Sequence, residues 1–400
     1  MYRLKIRSDN LRDRSAEDGS RVTSMELFFD LVFVFAITQL SHTLLEHLSV
    51  RGALEVGLLL MATWWTWMYT TWATNWVNPL LGPIRLMLIL LMFGGLFFST
   101  SIPGAFGNTG LALAVAYSVI QLGRSLFLIS AFMGRREHLS MVRIAIWFGV
   151  SAVPWIAGGL AEGNARLALW IVALAIDYFA PSAGYQVPVL GKASTADWDI
   201  SPRHMAERCG LFIIIALGES VLVAGATFTD LERTLPVVAA FVAAFAGSVA
   251  LWWIYFGTIA DQASRHFEEV ENPGQLAIVA YTYLHLPIVA GIIVVAVGDE
   301  LVLAHPEGQT GMPTVVTLVG GPMIFLLGTL LFKVVSAIGR FPVSHVIGLA
   351  LLAVLIPLAG NLSPLTVGWL TTGILVLVGG IEAAANRRVG RVADQPIIQT

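Results

Sequence analysis

The chain has 400 residues, of which 56% are hydrophobic and only 12% are charged, and its formal net charge is −3. A soluble domain carries roughly 25% charged residues, so this composition excludes a soluble globular protein and indicates an integral membrane protein. Its basic residues form no cluster suited to nucleic acid, and a single cysteine, Cys209, excludes an intramolecular disulfide and a multi-cysteine metal site.

Residues 1–22 are polar and predict a cytoplasmic N-terminal arm. The rest of the chain holds twelve apolar runs of the length that a spanning helix needs. These runs lie near 25–47, 53–76, 83–102, 109–133, 141–160, 165–180, 204–227, 235–260, 275–297, 312–333, 343–360 and 364–385. The expected fold class is therefore an all-α polytopic membrane protein of twelve transmembrane helices.

A polar cytoplasmic linker at 181–203 separates two six-helix halves, at 23–180 and 204–385, and residues 386–400 form a cytoplasmic tail. A shift of 189 residues aligns LFFDLVFV with ALGESVLV and pairs Asp30 with Glu219. Since six is an even number, the halves have the same orientation. We therefore predict two parallel six-helix repeats related by an axis along the membrane normal.

The basic residues support this count and fix an orientation. With the N-terminus inside, 19 of the 23 Lys and Arg residues fall in cytoplasmic segments. Only Arg51, Arg166 and Arg233 fall on the opposite side, and Arg124 lies inside the fourth run. This asymmetry follows the positive-inside rule, so both termini are predicted to be cytoplasmic.

The first run, TSMELFFDLVFVFAITQLSH, carries two acids near its start. At about 100° per residue, Glu26 and Asp30 share one stripe of the helix. A carboxylate inside hydrocarbon costs on the order of 2.5–3.5 kcal/mol even on the lenient insertion scale. The two acids therefore predict an interior site where they meet water, a cation or a basic partner.

The seventh run, HMAERCGLFIIIALGESVLVAG, holds the second set of polar residues. His204, Arg208 and Glu219 lie on one side of that helix, with Glu207 slightly off it. Glu219 is near the middle of the membrane and is interpreted as a functional interior acid. Glu207 is interpreted as an end anchor that pairs with Arg208 or another neighbour.

Arg124 is the basic residue well inside a span, and we expect it to pair with Asp30, Glu219 or Asp177. That pair is either a switchable partner in transport or a structural lock. Asp177 ends the sixth run and is interpreted as facing water.

His285 stands two residues before Pro287, which predicts a broken helix. It either lines a polar cavity or is a hydrogen-bonded structural residue. Trp64 and Trp65 open the stretch WWTWMYTTW, which forms either an aromatic wall for a cation or apolar ligand or a packing surface between helices. Metal-ligand spacings, nucleotide-binding motifs and nucleophile motifs do not appear, so we expect no metal, no cofactor and no enzymatic activity.

Two long stretches resemble the bacterial low temperature requirement protein A (LtrA) family. They are ELFFDLVFVFAITQLSH (26–42), preceded by Val22-Thr23, and HMAERCGLFIIIALGES (204–220). WWTWMYTTW and YLHLPIVAGI also fit it. The resemblance implies a multi-pass protein of the bacterial cytoplasmic (inner) membrane, linked by name to growth in the cold.

A fainter similarity joins FFDLVFVFAIT to the first helix of two-repeat potassium channels whose motif is Arg, three residues, then Phe-Ser-Asp. Here Ser24 stands in place of Arg and Phe29 in place of Ser.

The favoured hypothesis is a transporter or channel for an ion or small solute. Asp30 and Glu219 would be its interior acids and Arg124 their partner, while Glu26, His285 and the Trp64-Trp65 face would line the path. The alternative is a membrane sensor or binding protein for cold adaptation, without transport. An intramembrane enzyme has less support. The expected partners are membrane lipid, a small solute or cation and, as the repeat allows, a second copy of the chain.

Overall fold

The computed structural model describes residues 11–12, 21–193, 200–257, 276, 278–336 and 341–393, with side chains as far as 385. These residues form twelve α-helices and contain no strand, only two isolated bridges that join Leu11 to Val77 and Val187 to Gly191. Ten of the helices are long and apolar enough to cross a membrane. The prediction of an all-α polytopic membrane protein is confirmed.

Each predicted run coincides with one helix. The helices are α1 (Ser24–Glu46), α2 (Val50–Trp76), α3 (Gly82–Thr100), α4 (Gly110–Ala131), α5 (His138–Leu160), α6 (Gly163–Ser182), α7 (Pro202–Asp230), α8 (Leu235–Phe256), α9 (His285–Ala304), α10 (Met312–Val335), α11 (Val343–Ala359) and α12 (Pro364–Ala393). A π-helix, Ile278–Tyr283, directly precedes α9. Helices α2 and α11 are not among the ten long apolar spans.

The chain divides into two compact units. The N-terminal unit comprises Met1–Arg208 with Glu271–Ile278, and therefore holds α1 to α6 and the start of α7. The C-terminal unit comprises Cys209–Val270 with Val279–Thr400, and holds the rest of α7 and α8 to α12.

Helix α2 is the central helix of the N-terminal unit and packs against α1, α4 and α6. Every residue from 62 to 75 is buried, so this stretch has no lipid-facing side. Threonine hydroxyls of this stretch donate to backbone carbonyls one turn earlier in the same helix. Thr63 donates to the carbonyl of Leu59 at 2.8 Å, and Thr66 donates to that of Ala62 at 2.9 Å. These hydrogen bonds within the helix satisfy the hydroxyls in apolar surroundings, where neither water nor lipid supplies a partner.

Arg166 fastens the opposite end of the same unit. The prediction placed it on the side opposite to the cytoplasm, and its side chain is buried there and donates to carbonyls at the end of α5 and in the loop between α3 and α4. Those acceptors are Gly158 (3.2 Å), Ala161 (3.0 Å), Ala105 (2.7 Å) and Gly107 (2.6 Å). One guanidinium therefore satisfies carbonyls at the C-terminal end of α5 and in a loop, where intrahelical donors are lacking.

In the C-terminal unit, α9 and α10 approach each other closely through glycines. A Cβ atom added at Gly291 would lie 2.5 Å from the backbone nitrogen of Phe325, and one at Gly321 would lie 2.8 Å from that of Val295. Small residues of this kind let the backbones of membrane helices come together. An ion pair between Lys333 and Glu382 joins α10 to α12 in the same unit.

Candidate functional site

Helix α1 begins with a capping box that already fixes one acid. Thr23 is the N-cap residue, and its backbone N–H and its hydroxyl both donate to Oε2 of Glu26 at 2.9 Å. An acid in this position stabilises the positive end of the helix dipole. Glu26 is nevertheless fully buried, and it has two further partners: Arg12, whose Nη2 lies 2.6 Å from Oε2, and His204, whose Nε2 lies 2.7 Å from Oε1.

Asn75 at the end of α2 orients the imidazole of His204. The backbone N–H of Ser201 donates to Oδ1 of Asn75 at 3.0 Å, and Nδ2 donates to the carbonyl of Ser201 at 2.9 Å. These two bonds fix the amide, so its Nδ2 faces Nδ1 of His204, 3.2 Å away, as a donor. Nδ1 must therefore accept, and the ring proton lies on Nε2, where it is donated to Glu26.

Asp30 lies one turn further into α1 and is fully buried. Its Oδ1 accepts from the indole N–H of Trp67 at 2.7 Å and pairs with Nη2 of Arg208 at 2.8 Å. Its Oδ2 has no hydrogen-bond partner among the described residues.

Arg208 shows the complementary pattern. Its Nη2 also donates to the hydroxyl of Thr71 at 3.3 Å, and its guanidinium carbon lies 5.5 Å from the centre of the Trp67 ring. The side chain is fully buried, yet Nε and Nη1 find no acceptor in the described part of the chain. Indole and carboxylate together hold the cation in place.

We call Arg12, Glu26, Asp30, His204 and Arg208 the acid–base cluster. Two carboxylates balance two guanidinium groups around a neutral imidazole. The unpartnered oxygen of Asp30 can bind a cation or a hydrogen-bond donor, and the unpartnered N–H groups of Arg208 can donate to a separate acceptor. Among the described residues, no group of three or more His, Cys, Asp or Glu side chains can hold a metal ion.

The cluster confirms that the acids of α1 meet basic partners and corrects the choice of partner. Asp30 pairs with Arg208, so the expectation that it pairs with Arg124 is wrong. Glu207 does not pair with Arg208 either. It is exposed and accepts from the backbone N–H of Val22 at 3.3 Å, which anchors α7 to the chain before α1.

Arg124 instead reaches from α4 to another face of α2. Its Nη1 donates to the hydroxyl of Thr70 at 3.1 Å, its Nη2 bonds the side-chain oxygen of Gln121, and its guanidinium carbon lies 5.3 Å from the centre of the Tyr69 ring. It forms no ion pair within the described residues. Hydroxyl, amide and aromatic groups therefore hold this cation where a carboxylate was expected.

Asp177 does not face water as expected. It is buried in α6, where Oδ2 accepts from the hydroxyl of Tyr117 at 2.7 Å and from the indole of Trp155 at 3.2 Å. Its position near the end of a hydrophobic run gave no sign of these partners, which come from α4 and α5.

Trp64 and Trp65 are fully buried and make the contacts of packed rings. The Trp64 ring lies 5.0 Å from that of Trp67, and Trp65 stacks on Tyr178 with a centroid distance of 4.0 Å. The indole N–H of Trp67 reaches a buried acid, Asp30.

The two remaining predicted residues lie in the C-terminal unit. Glu219 is buried in α7. His285 begins α9 immediately after the π-helix, so the predicted helix break is confirmed. Its Nδ1 donates to the carbonyl of Ala280 at 2.9 Å, and its Nε2 accepts from the hydroxyl of Tyr255 at 2.8 Å. Both ring nitrogens are thus occupied, as in a structural histidine.

The described residues form twelve helices, most of them long and apolar, and a buried charge-balanced cluster, which together define a multi-pass α-helical membrane protein. The chain belongs to the family described as bacterial low temperature requirement A protein (LtrA), whose model matches residues 21–379. The resemblance found in the sequence is therefore confirmed.

The chain is also similar to an uncharacterized protein of Rhizobium meliloti (strain 1021). The two are 41% identical over 382 residues, which cover 94% of this chain and 92% of the relative. No solved structure matches the chain.

Proposed function

We propose that this protein is a transporter or channel that carries an ion or small solute across the bacterial cytoplasmic membrane. The acid–base cluster is its binding site, and Arg208 takes the role of switchable partner that the sequence assigned to Arg124. The observation that supports this most is Asp30, a fully buried carboxylate with one oxygen shared by Arg208 and Trp67 and the other unpartnered.

The unpartnered atoms favour a binding role over a structural lock. A buried ion pair stabilises a protein only when its geometry is good and its remaining hydrogen-bonding groups are satisfied. Asp30 and Arg208 leave three such atoms without partners among the described residues. A cation bound at Oδ2 replaces Arg208 as the counter-charge of Asp30, and its departure returns the pair to direct contact.

The proposal extends to the whole chain. Glu219 acts as a second interior acid, equivalent to Asp30 in a second, parallel repeat. Both termini are cytoplasmic, no reaction is catalysed, and membrane lipid, the solute and a second copy of the chain are the partners. The link to cold growth would follow from a solute whose movement is needed at low temperature.

Ion flux into liposomes that contain the purified protein tests the proposal, with K⁺, Na⁺, a proton gradient and guanidinium offered in turn. Asp30→Asn removes the charge but keeps the shape, and it should abolish flux while the protein remains monodisperse. Glu46→Gln is the matched control, because Glu46 is an exposed acid on the same helix. It should transport like the wild type.

Two results would argue against transport through this site. Full flux in Asp30→Asn would show that Asp30 is not part of the transport path. Absence of flux from folded wild-type protein with every ion favours the alternative of a sensor, for which the cluster responds to the membrane without passing a solute.

A further inference from the structure

Arg12 is embedded in the acid–base cluster although it belongs to the polar N-terminal arm. Its side chain is only 5% exposed. The guanidinium donates from Nη2 to Glu26 at 2.6 Å, from Nε to the carbonyl of Thr74 at 2.7 Å, and from Nη1 to the carbonyl of Arg21 at 2.8 Å. Each of its three nitrogens therefore meets an oxygen acceptor.

The backbone of this segment also pairs with the end of α2. Arg12 donates its backbone N–H to the carbonyl of Trp76 at 3.0 Å, and Leu11 forms one isolated bridge with Val77. The guanidinium and this pairing at the end of α2 thus attach the segment to α1 and α2.

The charge of the cluster shows what Arg12 compensates. Glu26 and Asp30 are balanced by Arg12 and Arg208, while the hydrogen bonds of His204 define a neutral imidazole. Without Arg12, the cluster carries one uncompensated negative charge in a site fully removed from solvent. Such a charge must be neutralised by a bound cation or by uptake of a proton.

The acceptors that Arg12 occupies favour an organic cation over a metal. They are a carboxylate oxygen, the carbonyl of Thr74 in the last turn of α2, where the helix dipole is negative, and one further carbonyl. Three oxygens fall short of the roughly six to eight that hard metal ions take. They match the N–H donors of a guanidinium or ammonium group.

We propose that Arg12 is a tethered occupant of the acid–base cluster, which binds a small monovalent cation of the guanidinium or ammonium class. The Leu11–Arg12 segment closes the site because the Arg12 guanidinium occupies the oxygen acceptors that this cation needs. Arg12 must therefore leave them before the cation binds. This inference rests on the proposed function for its transport consequence, but binding and closure can be measured without transport.

Access to the cluster is the first test. A reporter cysteine replaces Thr71, which contacts Arg208, in a Cys209→Ser background, and the purified protein is labelled in detergent with a cationic thiol reagent. Arg12→Ala should raise the labelling rate about tenfold or more, since it removes a charge-assisted hydrogen bond that holds the site closed. Millimolar guanidinium should slow labelling of Arg12→Ala and leave the protein with Arg12 unaffected.

Arg203→Ala is the control for loss of a nearby charge, because Arg203 is exposed near the start of α7 and is not part of the cluster. Its labelling rate should equal that of the protein with both arginines. Equal rates in Arg12→Ala and its parent would overturn the closure, and failure of guanidinium to protect Arg12→Ala would overturn the ligand class.

Guanidinium uptake into liposomes is the second test. The Arg12→Ala protein should take up guanidinium severalfold faster than the wild type. If Arg12 had only a structural role, uptake by this variant should fall instead. Arg12→Lys retains a cation and Arg12→Gln retains donors without charge, so both should show intermediate rates. If Ala, Lys and Gln all prevent folding, Arg12 is a strut and the proposal is wrong.

The two proposals fail in different ways. If Arg12→Ala labels faster and guanidinium slows that labelling, but no flux is measured, the binding site is supported and transport is contradicted. If K⁺ or Na⁺ flux requires Asp30 but the labelling rate is unchanged in Arg12→Ala, transport is supported and the role of Arg12 as a tethered occupant is contradicted.

Discussion

Asn75 and His204 form a donor–acceptor pair, 3.2 Å apart, that places the imidazole proton on the side of Glu26. The pair lies between the last turn of α2 and the first turn of α7. It makes His204 a neutral donor within a cluster of four charged side chains.

The first prediction concerns this tautomer. In Asn75→Asp the new carboxylate can only accept when it is ionised, so it cannot donate to Nδ1 of His204. Nδ1 should then carry a proton as well, and because Nε2 still donates to Glu26 the ring becomes an imidazolium in place of the neutral Nε2–H tautomer of the wild type. Nitrogen NMR of histidine-labelled protein distinguishes the two, and a His204→Gln spectrum assigns the signal. An Nε2–H tautomer that persists in Asn75→Asp would contradict the assignment.

The second prediction concerns Arg166. Its removal in Arg166→Ala leaves several buried carbonyls without donors, each worth about 1–3 kcal/mol when left unsatisfied. We expect a loss of about 3 kcal/mol or more in thermal unfolding in detergent. Arg166→Lys should recover part of it, because an ammonium keeps the charge but lacks the planar fork.

Arg51 provides the comparison for Arg166. It is 54% exposed and pairs with Glu55 along one helix face, at 2.8 Å. Arg51→Ala should change stability by less than about 1 kcal/mol, as exposed ion pairs generally do. Similar losses in the two variants would show that Arg166 does not fasten the loops.

The third prediction tests the close approach of α9 and α10. Gly291→Ala forces a methyl group to within 2.5 Å of the Phe325 nitrogen and 2.7 Å of its Cβ. Overpacking of this kind costs about 1–3 kcal/mol. Gly320→Ala on α10 meets nothing within 4 Å and should be neutral or slightly stabilising, because alanine favours a helix. Thermal unfolding of both variants decides between them.

The fourth prediction concerns the ion pair that joins α10 to α12. Lys333→Met should destabilise the protein by about 3–5 kcal/mol, because it leaves a buried Glu382 without its cation. Adding Glu382→Gln should recover part of that loss, since Gln can still accept from Ser344. Simple additivity of the two losses would mean that the pair is not coupled in the folded protein.

Much of the architecture could be predicted from hydrophobic run length, because each span must satisfy its own backbone within the bilayer. Helical periodicity also identified both halves of the cluster: Glu26 with Asp30, and His204 with Arg208. It could not pair them, since periodicity describes one helix at a time. Arg124 is expected to pair with Asp30, Glu219 or Asp177 because it stands alone inside a span, whereas its actual partners are neutral groups that carry no charge signal.

Arg12 and Asn75 were missed for different reasons. Arg12 is one of several basic residues in a polar arm, and nothing local distinguishes it from its neighbours. Asn75 had a usable signal, because an amide near the end of a membrane helix needs partners. The burial of α2 around its whole circumference could not be seen either, since its tryptophans are equally suited to a lipid interface.

The burial of α2 has a consequence for biosynthesis. A ribosome delivers helices to the membrane in order, and α2 lacks the apolar window that would let it partition into lipid unaided. It must enter together with its neighbours. Trp67 is made only 37 residues after Asp30, whereas His204 follows Glu26 by 178 residues. At roughly 5–20 residues per second, α7 is synthesised about 10 to 35 seconds after α1. During that interval the acids of α1 lack their partners from α7, and the indole of Trp67 is the first partner that Asp30 can reach.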